Sequence, residues 1–168
     1  MGRTIFPIRS LWIVAGVVYM GGSCISLIWL RNTLDNGLLV VMWILFLVWA
    51  SDCGAYALGR LIGGPKLAPR ISPNKTWAGI FFGWITVITF YYILKSFNLF
   101  VSDFFVFIFF GIALSSQVGD FIESYIKRNL GVKDTGNIIP GHGGLLDRFD
   151  GLICASFFVK IIDFYLTA

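Results

Sequence analysis

Five stretches of about 20 mainly apolar residues follow one another along this chain, at roughly 11–30, 38–58, 77–95, 99–118 and 151–168. A helix rises about 1.5 Å per residue and the hydrocarbon core of a bilayer is about 30 Å thick, so each stretch is long enough to cross once. Only a helix, or a closed barrel, satisfies every backbone N–H and C=O group in lipid. Composition agrees: 57% of the 168 residues are hydrophobic and 13% are charged, with a mean hydropathy of +0.82. A soluble domain of this size has too little interior to hide that much apolar surface. The expectation is an all-α integral membrane protein, one polytopic domain over residues 1–168 with about five transmembrane helices and a polar cleft facing the cytoplasm. The fifth stretch is the weakest, because it contains Lys160 and Asp163. The first follows Arg3 and Arg9, as a signal sequence would, but its apolar run is long and no small-x-small cleavage site closes it. Cys24, Cys53 and Cys154 are scattered through apolar segments without metal-type spacing, which predicts buried free thiols.

The charges predict an orientation. With five spans, one side takes Arg3, Arg9, Arg60, Lys66, Arg70, Lys75, Lys127, Arg128, Lys133 and Arg148, and the other takes Arg31 and Lys95. Lys and Arg concentrate on the cytoplasmic side of membrane proteins. The N-terminus and the loops 60–76 and 119–150 are therefore expected in the cytoplasm. Topology accounts for the net charge of +4, so it is no sign of a nucleic-acid partner.

Residues 120–151, DFIESYIKRNLGVKDTGNIIPGHGGLLDRFDG, hold five carboxylates, four basic groups, one His and six Gly. Packing alone explains such density poorly in so apolar a chain. Asp120 closes the fourth apolar stretch, and ionisable groups at membrane depth are usually functional. If the helix continues past the membrane, Asp120, Ser124 and Lys127 share one face, with Glu123 and Arg128 beside them. Glycines such as Gly143 and Gly144, which follow His142, let backbone N–H groups approach phosphate oxygens. No Walker-type run is present. Asp147 and Asp150 share the first turn of the last helix. A helix N-terminus explains one acid there, by its dipole, more easily than two. Mg²⁺ binds one or two protein carboxylates together with substrate phosphates, which suits Asp120 and Asp147, with Asp150 and Asp134 as a second choice. The loop 60–76 has four basic residues and no acid. It reads either as a topology determinant or as a phosphate clamp built from Lys66, Arg70 and Lys75, with Ser72 and Thr76 as donors. Asp52 lies inside the second stretch with Tyr56 and Arg60 on the same face, and Arg148 or Arg128 is a candidate partner. Gly59 and Gly63 form a small-xxx-small pair that favours close helix packing.

These residues resemble the phosphatidate cytidylyltransferase (CDP-diacylglycerol synthase) family. Its signature is similar to Ser124, Lys127, Arg128, Lys133, Asp134, Pro140, His142, Gly143, Gly144, Asp147, Arg148 and Asp150, with every spacing kept. Two further family stretches resemble DCGAYALGR from Asp52 and the run from Leu67 to Trp77. The likeness covers about two thirds of the chain, from residue 50 onward. Ala78 stands where the family often has Glu, and Gly151 where it often has Ser. Many members also carry more N-terminal spans, so a reduced lipid-facing or dimer-facing architecture is expected here.

The resemblance implies transfer of a cytidylyl group from CTP to phosphatidic acid in a bacterial inner membrane, with Mg²⁺ and a second cation as cofactors. Membrane lipids and a homodimer are further expected partners. It implies metal ligation by Asp120 and Asp147, with Asp150 and Asp134 in support. Lys127, Arg128, Lys133 and Arg148 would hold phosphates, and His142 would donate to a phosphate or orient a ligand. Other readings stay open: a CTP-dependent transferase for another lipid phosphate, a transporter or channel with a cytoplasmic gate, which Asp52 inside the second stretch permits, or a non-catalytic relative.

Overall fold

The computed structural model describes residues 6–69, 71–99, 102–132, 135, 144 and 146–167, with side chains between residues 14 and 166. Five long helices form: α1 (Phe6–Thr33), α2 (Gly37–Ile62), α3 (Trp77–Ser96), α4 (Phe104–Asn129) and α5 (Leu146–Thr167). They match the five apolar stretches. Four are long and apolar enough to cross a membrane, and α5 falls short on composition. Its charges are used inside the protein. Lys160 Nζ lies 3.5 Å from Asp163 Oδ2 and 3.6 Å from the centroid of the Trp29 ring on α1, a cation–π contact that spares the ammonium a bare apolar neighbour.

Successive helices pack side by side, α5 returns to α1, and α2 also touches α4 and α5. Ile44, Leu47, Val48, Val87, Tyr91, Ile112, Ala113 and Ala155 form the buried centre. Apolar side chains such as Val17, Ile25, Leu39, Phe107 and Phe164 remain exposed around the outside, which lipid tolerates and water would not. Cys24 and Cys53 belong to this exposed set, and only Cys154 is half-buried. All three are free thiols, as expected. The expectation that all are buried is corrected for the first two, because a lipid-facing surface carries no penalty for a small apolar group.

Small residues bring the helices close. A Cβ on Gly59 would stand 2.7 Å from Gly79 Cα, and one on Gly83 would meet Ser51 Oγ at 3.0 Å. Gly59 thus does what the small-xxx-small pattern predicts. Gly63 does not: it caps α2 in the left-handed region at φ 66°, with open space around it. Between α4 and α5, a Cβ on Gly119 would fall 2.5 Å from the carbonyl oxygen of Asp150.

The loop after α2 is a short antiparallel hairpin, β1 (Lys66–Ala68) against β2 (Ser72–Thr76). Period-2 patterning is hard to see over so few residues, so the sequence by itself predicts only a loop here. Thr76 ends β2 and caps α3: its Oγ1 accepts from Gly79 N–H at 3.1 Å. At the other end of the bundle, Asn98 takes φ 58°, so α4 begins later than the apolar pattern at 99 implies. Lys95 pairs with Asp103 across this turn, and Tyr91 Oη donates to Ser102 O at 3.2 Å.

The end of α2, the hairpin, the start of α3, the end of α4 and the start of α5 all lie at one end of the bundle. The described members of the basic-rich set therefore share one side, as the charge count requires.

Candidate active site

A cavity of about 1200 Å³ opens at that end, between α2, α3, α4, the hairpin and the first turn of α5. Four carboxylates line it: Asp52, Asp120, Asp147 and Asp150. So do four cations: Arg60, Lys66, Lys75 and Arg148. Deeper in, the wall becomes apolar, with Trp49, Trp84, Leu114 and Val118. One end thus suits phosphates and the other a hydrocarbon.

The helix α4 does continue past Asp120 to Asn129, so the face anticipated there exists. Ser124 Oγ lies 3.5 Å from Asp120 Oδ1. The main partner of Asp120 comes from the hairpin: Lys75 Nζ stands 2.5 Å from its Oδ2 and 4.8 Å from the Phe121 ring centroid. Lys127 turns away from Asp120. Its ammonium lies 2.6 Å from Asp147 Oδ1 and 3.1 Å from Glu123 Oε1.

Asp147 is the most heavily bonded carboxylate. Its Oδ2 accepts from Thr135 N–H at 2.9 Å, Thr135 Oγ1 at 2.9 Å and Gly144 N–H at 2.8 Å. The apolar stretch of α5 starts at Gly151, so Asp147 stands at the membrane edge. Burial alone would raise its carboxyl; the Lys127 ammonium and the two backbone donors outweigh that and hold it well below the usual carboxylate range. The group is ionised at neutral pH. Asp150 Oδ1 accepts from Gly151 N–H at 2.6 Å. Gly119 lets the Asp150 backbone approach α4, which puts Asp150 and Asp120 on the same cavity.

The expected site residues therefore separate. Asp52, Lys75, Thr76, Asp120, Asp147, Arg148 and Asp150 share the cavity. Thr76 also caps α3, and a hydroxyl that accepts one hydrogen bond can still donate another. Lys127 and Ser124 stand behind the wall. Arg128 is used elsewhere: its Nε donates to Ile71 O at 3.1 Å, tying the end of α4 to the hairpin. Arg128 does not line the cavity that holds Asp52, whereas Arg148 does. Arg60 NH1 donates to Tyr56 Oη at 2.8 Å, as their shared face suggests. Ser72 pairs with Ala68 at the far end of the hairpin and lies off the cavity. Gly144 contributes its N–H to Asp147. Arg70, Lys133, Asp134, His142 and Gly143 lie outside the described residues.

Residue-by-residue reading passed over Thr135, Asn74 and Gln117. Thr135 binds Asp147 twice, and Asn74 and Gln117 line the cavity. Gln117 carried a signal, as an amide inside an apolar stretch. Glu123 is also more than a neighbour of the site: it is buried, at 5% exposure.

Among the described residues, no three His, Cys, Asp or Glu side chains are grouped closely enough to hold a metal by themselves. Mg²⁺ does not require three, since it keeps waters and phosphate oxygens in its shell. Asp120 and Asp147 are each paired with a lysine ammonium in this structure, so a divalent ion bound there would share these carboxylates with the lysines. This donor set fits a divalent ion shared with a polyphosphate.

Long apolar helices around a charged cavity at one end of the bundle define a polytopic membrane protein. Residues 3–166 match the cytidylyltransferase family, and the chain belongs to it. The match extends well before residue 50, beyond the motifs. The chain is 42% identical over 146 residues to the phosphatidate cytidylyltransferase of Brucella melitensis, covering 86% of this chain and 54% of that protein. It is 42% identical over 137 residues to that of Haemophilus influenzae, covering 78% and 48%. With that of Staphylococcus epidermidis it shares 41% over 139 residues, covering 82% and 52%. The chain spans about half the length of these curated relatives.

Proposed function

We propose that the protein transfers a cytidylyl group from CTP to phosphatidic acid, releasing pyrophosphate and forming CDP-diacylglycerol at the cytoplasmic face of a bacterial inner membrane. The observation that carries this is the single cavity in which carboxylates and cations from four chain segments meet an apolar wall. The names of the relatives supply the substrates.

The lipid phosphate oxygen attacks the α-phosphorus of CTP, the bond from that phosphorus to the α,β-bridging oxygen breaks, and pyrophosphate leaves. A phosphate monoester has a second pKa near ~6, so the nucleophile is mostly ionised and needs no strong base. The barrier lies in bringing two polyanions together and stabilising the leaving group, which fixed cations do. Lys66, Lys75, Arg60 and Arg148 serve this from the cavity wall. Mg²⁺ would be held by Asp120 and Asp147, with Asp150 beside them, and supplies charge neutralisation for the phosphates. Thr135 and Gly144 fix the Asp147 carboxylate.

The test is pyrophosphate release by the purified full chain in detergent. Release should require CTP, phosphatidic acid and Mg²⁺ together. Release without a lipid phosphate, or none from any lipid phosphate in a folded sample, overturns the reading. Dialkyl and diacyl lipid phosphates compared side by side identify the acceptor.

A further inference from the structure

Glu123 has no role in that mechanism, yet its position is costly. It lies on α4 at 5% exposure. Neither carboxylate oxygen accepts a hydrogen bond of normal geometry among the described residues. A buried carboxylate is strongly unfavourable unless a cation stands beside it. That cation is Lys127, one turn on, with Nζ 3.1 Å from Glu123 Oε1.

Lys127 is shared. Its Nζ is 2.6 Å from Asp147 Oδ1, and its side chain is 14% exposed. The other oxygen of Asp147 takes both Thr135 donors and Gly144 N–H, which brings these two residues to one carboxylate. A chain of contacts thus runs from Glu123 through Lys127 and Asp147 to residues 135 and 144. A lysine stem is flexible, and an ammonium with one acidic neighbour is free to swing toward water or toward a phosphate in the cavity. A second carboxylate behind it removes that freedom.

We propose that Glu123 is a positioning residue: it holds the Lys127 ammonium against Asp147, and through that carboxylate fixes Thr135 and Gly144. Glu123 touches no substrate, since its oxygens are closed off from the cavity. The positioning stands without the proposed reaction; its catalytic consequence, a rise in the KM for CTP larger than the fall in kcat, rests on that reading.

Amide hydrogen exchange of the full chain in detergent tests the positioning by itself. Glu123→Gln keeps the shape and removes the charge. Exchange at Thr135 and Gly144 should rise about 10-fold or more, while the amides of α2 and α3 stay as they are. Lys127→Met should do the same, and the double variant should add nothing to Lys127→Met, because both changes break one chain of contacts. If Glu123→Gln inserts poorly, Glu123→Asp, one methylene shorter, should show a smaller rise at the same two amides. Unchanged exchange at 135 and 144 overturns the proposal. So does an additive double variant, or an equal rise in α2 and α3, which would make Glu123 a general packing residue.

Discussion

At the scale of single residues, the site is built from lysine–carboxylate pairs whose members come from distant parts of the chain. Lys75 and Asp120 are 45 positions apart, and Lys127 and Asp147 are 20 apart. Replacing Asp147 by Asn keeps the shape, removes the charge and weakens three donors at once. Turnover should fall about 100-fold or more, within the range for losing a fixed electrostatic group, as read by pyrophosphate release. The same carboxylate sets a pH dependence. Its folded pKa is depressed, so its contribution is present above the unfolded value near ~3.9 and is lost as pH falls through the folded one. Measured in the Glu123→Gln background, which removes the neighbouring carboxyl that burial and Asp147 push up to about 7, the Tm gap opened by Asp147→Asn should stay constant from pH 7 to about 4 and close only below that. A gap that closes near neutral pH would show that Asp147 is not held by these donors. The acids and bases themselves were legible in the sequence. Their pairing was not, because Lys127 has two acidic neighbours in space and only one, Glu123, at helical spacing.

The elements show how small residues place charged ones. Gly119 lets α5 approach α4 at Asp150. Gly119→Val would force the helices apart beside the site, because the new Cβ would stand 2.5 Å from the carbonyl oxygen of Asp150 and 3.0 Å from Cys154 Cβ. Activity should drop severely while α1–α3 remain helical, as circular dichroism and exchange in those helices would report. Ser at 151, the residue common in the family, would bring a Cβ to 3.1 Å from Ser116 Cβ, so glycine there fits this tight crossing. Thr76 links the hairpin to α3 through its cap. Thr76→Ala should cost about 1 kcal/mol, seen as a lower Tm, and Thr76→Ser should restore most of it. The five helices were visible as apolar stretches, and the continuation of α4 was visible as a face shared by Asp120 and Ser124. The hairpin was not, since three- and five-residue strands owe their existence to tertiary anchoring, such as Arg128 Nε on α4 donating to Ile71 O at 3.1 Å.

For the whole molecule, topology is the property most directly tested. The charge bias predicts a cavity that faces the cytoplasm and a Leu99 on the opposite side. With the three native cysteines replaced, a Cys at Asn74 should react with an impermeant thiol reagent only in inside-out vesicles. A Cys at Leu99 should react only in right-side-out ones. The reverse pattern would place the cavity away from the cytosolic nucleotide pool and remove the proposed reaction.

Apolar run length and charge asymmetry are properties of the chain in order, so the sequence by itself determined the membrane class, the number of long helices and the side on which charge collects. The gapped signature from Ser124 to Asp150 determined the family as well. Only the tertiary structure decided which acid meets which base, that Arg128 and Ser72 stand off the cavity, and that Glu123 lies behind it. Those outcomes depend on how closely α2 meets α3 and α4 meets α5. That closeness is set at Gly59, Gly79 and Gly119 by atoms that are missing, and a missing side chain marks no partner until the helices are in place.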